Sequence, residues 1–233
     1  MKIYAISDLH LSTNCNKPMN IFGPVWDNYL DSIEASWKKK VTKNDIVLIP
    51  GDISWAMKFE DALPDLEYIS SLKGNKIFIK GNHDFWWKSI SEVRSVLKDK
   101  TFALQNDAIK IGNVIICGSR GWSAPENGVF KSEQDEKIYR RELIRLELSL
   151  KSMTALREEG DRVVCMIHYP PLDYRMNDTD VSRLLEKYNV DACVYGHLHN
   201  YDNIQKLKFK KNGIKYYLTS CDLVGNVLTE IRI

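Results

Sequence analysis

Residues 77–87 read IFIKGNHDFWW, a strand-like apolar run followed at once by glycine, an amide, an imidazole, a carboxylate and three aromatics. Gly81 and Asn82 suffice for a turn. A turn alone has no need of Asn82, His83 and Asp84 in consecutive positions, so the stretch reads as a strand that delivers polar groups from its carboxyl end. The same pattern recurs along the chain. IYAIS runs into Asp8-Leu9-His10, IVLIP into Gly51-Asp52, VVCMI into His168, and ACVY into Gly196-His197-Leu198-His199. The chain has five histidines, and each comes just after a strand candidate. In open α/β sheets ligands gather outside the carboxyl ends of the strands. Five such ends meeting at one crevice would bring all five histidines into it.

Spacing supports that convergence. Asp8 and His10 are two residues apart, as are His197 and His199, and in an extended segment residues two apart point the same way. Gly51, Gly81 and Gly196 each come just before a polar candidate, where a tight backbone path out of the strand is needed.

Around these motifs, β-rich runs alternate with helical patterns. The strand candidates are Lys2–Ile6, Ile46–Ile49, Lys76–Ile79, Val114–Cys117, Val163–Ile167, Ala192–Tyr195, Lys215–Thr219 and Val227–Ile233. Trp26, Tyr29, Leu30, Ile33 and Trp37 share one helix face, and Lys38–Lys40 suit the negative end of its dipole. Further helices are expected over Ala62–Leu72, over Ser89–Lys98, from a capping-box-like S-E-Q-D at Ser132 to Gly160, and around Val181–Tyr188. No repeat or Pro/Gly-rich linker interrupts the pattern, and a length of 233 residues with 44% hydrophobic content fits one domain.

Composition narrows the function classes. Net charge is +2, from 33 basic and 31 acidic residues, so no strong field advertises nucleic acid or an anionic membrane. The basic runs at 38–40 and 206–211 read as a solvated helix end and a solvated hairpin. Cys15, Cys117, Cys165, Cys193 and Cys221 are scattered singly, which suits free thiols in a reducing compartment rather than a disulfide frame. The opening MKIYAISDLH enters a strand-like run directly, and no later stretch reaches the ~20 apolar residues of a membrane span. These features set the expectation of a soluble, cytoplasmic protein.

The ordered set D-x-H, G-D, G-N-H-D, H and G-H-x-H, running from Asp8 to His199, resembles the calcineurin-like metallophosphoesterase superfamily. The resemblance implies a four-layer α/β/β/α sandwich of two mixed β-sheets flanked by helices. It also implies a dinuclear site, with Asp8, His10, Asp52 and His199 holding one metal, Asp52, Asn82, His168 and His197 the other, and Asp52 bridging. A donor set of imidazole, carboxylate and amide suits manganese, iron, zinc or cobalt better than the all-oxygen cages of magnesium or calcium. Two such divalent ions ~3.5–4 Å apart can generate a hydroxide at neutral pH and hold phosphoryl oxygens for in-line attack. By the same resemblance His83 is no ligand but the group that protonates the leaving alkoxide, with Asp84 expected to accept a hydrogen bond from its far nitrogen; the alternative for Asp84 is a helix N-cap.

The implied activity is hydrolysis of a phosphomonoester or phosphodiester, the substrate being a small phosphate ester, with a nucleotide among the candidates. A nuclease of the same superfamily and a non-catalytic scaffold on the same fold are the rival readings. The near-neutral chain lacks the basic, aromatic-interleaved stripe that a nuclease would use, and a scaffold needs neither His83 nor two full ligand sets. Arg120 and Trp122, in the irregular stretch Ser119–Lys131, are candidates for substrate contact, and that stretch for a wall or lid. The alternatives are an arginine satisfying loop carbonyls and a surface crossover. Trp55, Trp86, Trp87 and Trp122 are candidates for an aromatic wall, with core packing expected for at least two of them.

Overall fold

The computed structural model describes residues 1–98, 100–125, 128–199 and 206–233. Along the chain the regular elements are β1 (Ile3–Ala5), α1 (Tyr29–Lys40), β2 (Ile46–Ile49), α2 (Phe59–Ser71), β3 (Asn75–Phe78), α3 (Ile90–Val96), β4 (Thr101–Ala103), β5 (Ala108–Ile111), β6 (Val114–Ser119), α4 (Glu133–Leu156), β7 (Arg162–Ile167), α5 (Asp180–Lys187), β8 (Ala192–Tyr195), β9 (Lys208–Lys211), β10 (Ile214–Leu218) and β11 (Thr229–Ile231). The strands form a five-stranded sheet in the order β11-β1-β2-β3-β4 and a six-stranded sheet in the order β5-β6-β7-β8-β10-β9. Both are mixed. β1 to β4 run parallel with β11 antiparallel at one edge, and β6, β7, β8 and β10 run parallel between the antiparallel edges β5 and β9.

Strand alternation builds four layers. Ile3, Ala5, Ile46, Leu48 and Ile77 face Val114, Ile116, Val164, Met166 and Val194 across the seam between the sheets. Their neighbours Tyr4, Val47, Ile49 and Phe78 point the other way, onto Ile33, Trp37, Leu66, Ile69 and Val93 of the first three helices. On the second sheet Ile115, Cys117, Val163, Cys165 and Cys193 pack under Tyr139, Leu146, Leu150, Val181 and Leu185 of α4 and α5. Both faces of each central strand are therefore dry, which is why those strands read as continuous apolar runs. The fold is the α/β/β/α sandwich expected.

The sheets are joined at the end where the site lies. Ser7 donates its N–H to Thr219 O at 2.9 Å, and Cys221 donates to Ser7 O at 3.1 Å, so the loops after β1 and β10 lace the seam just beyond the strands. The five cysteines are free, and four of them are buried. Among the described residues no helix is long and apolar enough to cross a membrane.

Two strands, β4 and β5, have no counterpart among the sequence candidates, and β9 is the first strand of the solvated hairpin expected at 206–211. Trp26 lies in a 3-10 turn, Pro24–Trp26, ahead of α1 rather than inside it. Ser132 caps α4 by accepting from Asp135 N–H at 3.1 Å, while its own hydroxyl donates to the Asp135 carboxylate, so the box is half of the reciprocal form. The run 206–211 enters the edge strand β9, which turns into β10 through Asn212 (φ 48°) and Gly213 (φ 86°), the left-handed pair a two-residue hairpin turn favours.

Trp37 anchors α1 to its sheet: it is 1% exposed, and its indole N–H donates to Lys73 O at 2.9 Å. Trp37→Ala should lower the unfolding free energy by about 3–5 kcal/mol in a urea titration. A loss below about 1 kcal/mol would contradict the packing described.

Candidate metal centre

Each site residue sits where a parallel strand ends, and four of them hold the chain in left-handed backbone. Asp8 (φ 59°), His10 (φ 47°), Asp52 (φ 52°) and His197 (φ 71°) all have positive φ, a conformation uncommon for residues with a Cβ. The cost is met by neighbours that fix these turns. Asp8 N–H donates to Gly51 O at 3.1 Å, His10 N–H to Asp52 O at 3.0 Å, and His197 N–H to both Asp8 carboxylate oxygens at 3.1 Å. Close approach is the role of the motif glycines. A Cβ on Gly81 would collide with Asp52 Oδ1 and Asp52 N, and one on Gly196 with Asp8 Oδ2 and Ser7 Oγ.

Asp52 occupies the middle of the site. Its Oδ1 accepts from His83 N–H at 2.8 Å, which turns Oδ2 toward His168 Nε2 at 3.5 Å and His10 Nε2 at 3.8 Å. Asp8 Oδ1 faces His199 Nε2 at 3.6 Å. Asp8, His10 and His199 each present one donor atom within 4.8 Å of the others, and so do Asp8, Asp52 and His168. Across the site His168 donates from Nδ1 to Pro50 O at 3.0 Å, which leaves Nε2 as a lone pair. That lone pair lies 2.6 Å from Asn82 Oδ1, and His197 Nδ1 lies 2.8 Å from the same oxygen. An amide oxygen facing two imidazole nitrogens is a set of donors fitted to a cation, and the Pro50 carbonyl fixes the His168 tautomer as an outer partner of a metal ligand does.

Electrostatics agree with that donor set. Burial lowers His10 to about 3 and His168 and His197 to about 4, so these imidazoles are neutral near pH 7 and carry no proton that a metal must displace. Burial, with the carboxylates of Asp8 and Asp84, pushes Asp52 up to about 9. Burial also opposes ionisation of Asp8, but the surrounding histidines, His199 first, outweigh it and hold Asp8 well below the usual carboxylate range. Two buried carboxylates this strongly coupled are stabilised by positive charge between them. Burial works against a charged His199 too, yet its hydrogen bond to Asp222 and its closeness to Asp8 push it up to about 10.

Ring contacts tie the histidines into one group. His10 lies 5.7 Å from His83 and 5.8 Å from His199, and His168 lies 5.1 Å from His197. His83 is half-buried, its ring 4.6 Å from Trp55, and burial lowers its pKa against the pull of Asp8. Trp55 also stacks on His10 at 4.5 Å, and Trp26 lies 5.8 Å from His199. Trp86 and Trp87 are core residues, 1% and 6% exposed.

One expectation needs correction, and two further candidates take partners that the sequence did not show. Asp84 does not face His83: Oδ1 accepts from Ile53 N–H (2.8 Å), Ser54 N–H (3.1 Å) and Trp86 Nε1 (3.0 Å), and Oδ2 from Gly81 N–H (2.7 Å). It organises the GNHD loop, and the cap of α3 is Ser89 instead. Arg120 turns toward α4, where it meets Glu142 at 3.1 Å. Trp122 lies over Tyr169, with ring centroids 5.1 Å apart, and donates to Asp135 at 3.0 Å. The described part of the stretch 119–131 is thus fastened to α4 and meets the candidate ligands through the Arg120 carbonyl, which accepts from His168 N–H at 3.1 Å, and through Tyr169, whose ring is 4.1 Å from His197. Residues 126 and 127 of that stretch, and 200–205 of the alternative loop Asn200–Gly213, lie outside the described residues.

Sequence reading missed Asp222, which holds His199 Nδ1 at 2.9 Å. A signal existed: YYLTS leads into Cys221-Asp222, a sixth strand end followed by a carboxylate. Tyr169 was also available, next to His168.

No curated protein matches the chain. Among solved structures, TT1561 of Thermus thermophilus is similar in fold, with 13% identity, TM-score 0.59, and coverage of 99% of this chain and 97% of that one. The protein of unknown function AQ665 from Aquifex aeolicus aligns at 16% identity and TM-score 0.48, over 98% of this chain and 95% of that one. The family model for calcineurin-like phosphoesterases matches residues 1–201, every ligand motif included, and on that match the chain belongs to the calcineurin-like phosphoesterase family.

Proposed function

We propose that the protein hydrolyses phosphate esters through two divalent transition-metal ions, one held by Asp8, His10, Asp52 and His199 and the other by Asp52, Asn82, His168 and His197. Family membership carries the coarser part of this reading, a phosphoesterase with divalent metal ions. The observation that supports two ions rather than one is Asp52: its Oδ2 addresses His10 Nε2 and His168 Nε2, one from each half-site, at 3.8 and 3.5 Å. When bound, such a pair supplies Lewis acidity toward the phosphoryl oxygens and brings the attacking water close to ionisation at neutral pH.

The chain's own residues do the rest. Asp8 and Asp52 together balance only part of the charge of two dications, so the site attracts an anion, as a phosphate ester is. Asn82 contributes an oxygen without charge and leaves its half-site the more electrophilic. Asp222 fixes the orientation of His199, and Pro50 O that of His168. His83 stands outside both sets. Its backbone steadies Asp52 while its ring, beside Trp55, is free to face the ester oxygen of the leaving group and donate a proton to it. With Asp84 turned away, the charge that favours its protonated form comes from Asp8 and from the bound phosphate.

Elemental analysis after reconstitution with manganese, iron, zinc or cobalt should find about two ions per chain. Asp52→Asn should lower occupancy of both positions and abolish hydrolysis of p-nitrophenyl esters, and full activity in that variant would refute the shared ligand. His83→Ala should keep its metals and lose ~10²–10⁴-fold in kcat. The loss should be smaller for nitrophenolate than for an alkoxide leaving group, whereas loss of metal on His83→Ala would make His83 a ligand.

A further inference from the structure

Glu142, on the buried face of α4 and 3% exposed, needs one cation to neutralise it. It has three. Arg120 Nη2 lies 3.1 Å, Arg145 Nη1 2.7 Å and Arg141 Nε 3.8 Å from the same oxygen, Oε1. Half-buried Lys80 adds a fourth positive charge, close enough to feel Arg120, Arg145, Glu142 and Asp84. Asp84 offers it little, because both oxygens of that carboxylate already accept from loop donors. Among the described residues the group carries surplus positive charge and Arg120 Nε is buried without a partner, and the Arg141 and Arg145 side chains remain 55% and 39% exposed.

This surplus adjoins the metal centre on its Asn82–His168 side. Lys80 precedes Asn82 by two residues, and Arg120 O accepts from His168 N–H and Tyr169 N–H, each at 3.1 Å. Steps of 4.1, 5.1 and 4.9 Å lead from the His197 ring through Tyr169 and Trp122 to the Arg120 guanidinium. The Tyr169 phenol lies in the fields of both Asp52 and Arg120. His83 stands on the other flank, against Trp55 and His10. A substrate whose leaving group faces His83 therefore sends its remaining substituent toward Arg120, and a phosphomonoester has no such substituent.

We infer that Lys80, Arg120, Arg141 and Arg145 form a second anion subsite, and that the substrate is a phosphodiester or diphosphate whose retained substituent carries a further negative group. This rests on the phosphoesterase reading above and deepens it. The guanidinium forks supply the bidentate geometry that a phosphate or carboxylate accepts, and the gap to the metals calls for a spacer rather than a directly neighbouring group.

The test uses p-nitrophenyl diesters with one leaving group and two retained chains, butyl and 4-phosphonobutyl, on the metal-loaded protein. The wild type should prefer the phosphonate-bearing diester. In Arg141→Ala/Arg145→Ala, which leaves Arg120 to neutralise Glu142, that preference in kcat/KM should fall by about tenfold or more, through KM, and Arg145→Lys should retain part of it. A wild type with no preference, or a double variant that keeps it, overturns the subsite. Calorimetry with butane-1,4-diphosphonate against butylphosphonate reads the same preference without turnover. A protein that binds the diphosphonate more tightly but cleaves neither ester would keep the subsite and lose the hydrolase reading, and equal binding of the two probes would overturn the subsite.

Discussion

Two carboxylates buried at the seam of two apolar sheets set the terms for the rest of the molecule. Asp8 and Asp52 are 0% and 1% exposed, and an ionised group in such a place is tolerable only when paired and fully hydrogen-bonded. The chain meets that demand in layers. Backbone N–H groups of His197 and His83 fix the carboxylates, imidazoles surround them, and the loops after β1 and β10 are bonded across the seam. The left-handed turns at Asp8, His10, Asp52 and His197 have the same origin, because only a sharp reversal beyond each strand end brings the side chain back over the seam. Divalent cations, which the family implies, would let both carboxylates ionise side by side. Stability and function thus rest on one constraint.

That constraint explains which parts of the fold were legible in the sequence. The central strands have dry surfaces on both sides, so IVLI, VVCMI and ACVY announce themselves, and the polar residues just past each strand end are forced into the crevice. The strands that escaped notice, or that read only as one arm of a solvated hairpin, are edges. β4 has three residues, β5 (AIKI) is only part-buried, and β9 (KFKK) alternates exposed with part-buried positions. An edge strand has one neighbour and a wet face, so little selects for a recognisable apolar run. The turns beside two of them, Gly112-Asn113 and Asn212-Gly213, were the available signals.

Side-chain partners were harder to read than elements, for a physical reason. His83 and Asp84 are adjacent, and adjacency invites a hydrogen bond between them. The chain bends at Asn82 and His83, and Asp84 turns to its own loop and to Ile53, 31 positions away, rather than to His83. Arg120 behaves alike: its partner Glu142 is 22 positions away on a helix, and no local pattern predicts which face of α4 it will meet. Asp222 reaches His199 across 23 positions. The clustering of the strand-end residues could be read because a strand end dictates direction, whereas the partners that orient them depend on how separate elements pack.

The walls of the site matter as much as its ligands. Trp55 and Trp26 close against His10 and His199 on one side, and Tyr169 with Trp122 behind it closes against His197 on the other. Aromatic walls exclude water, and charges in a water-poor crevice interact more strongly than at an open surface. The dinuclear centre proposed, set between such walls, would attract any small phosphate, so on that reading discrimination among esters has to come from farther out. On the His197 side the wall ends at Arg120, where positive charge exceeds the one carboxylate that faces it. On the reading proposed, reaction at phosphorus is set by the seam, and the choice of which phosphorus by the charges beyond Tyr169.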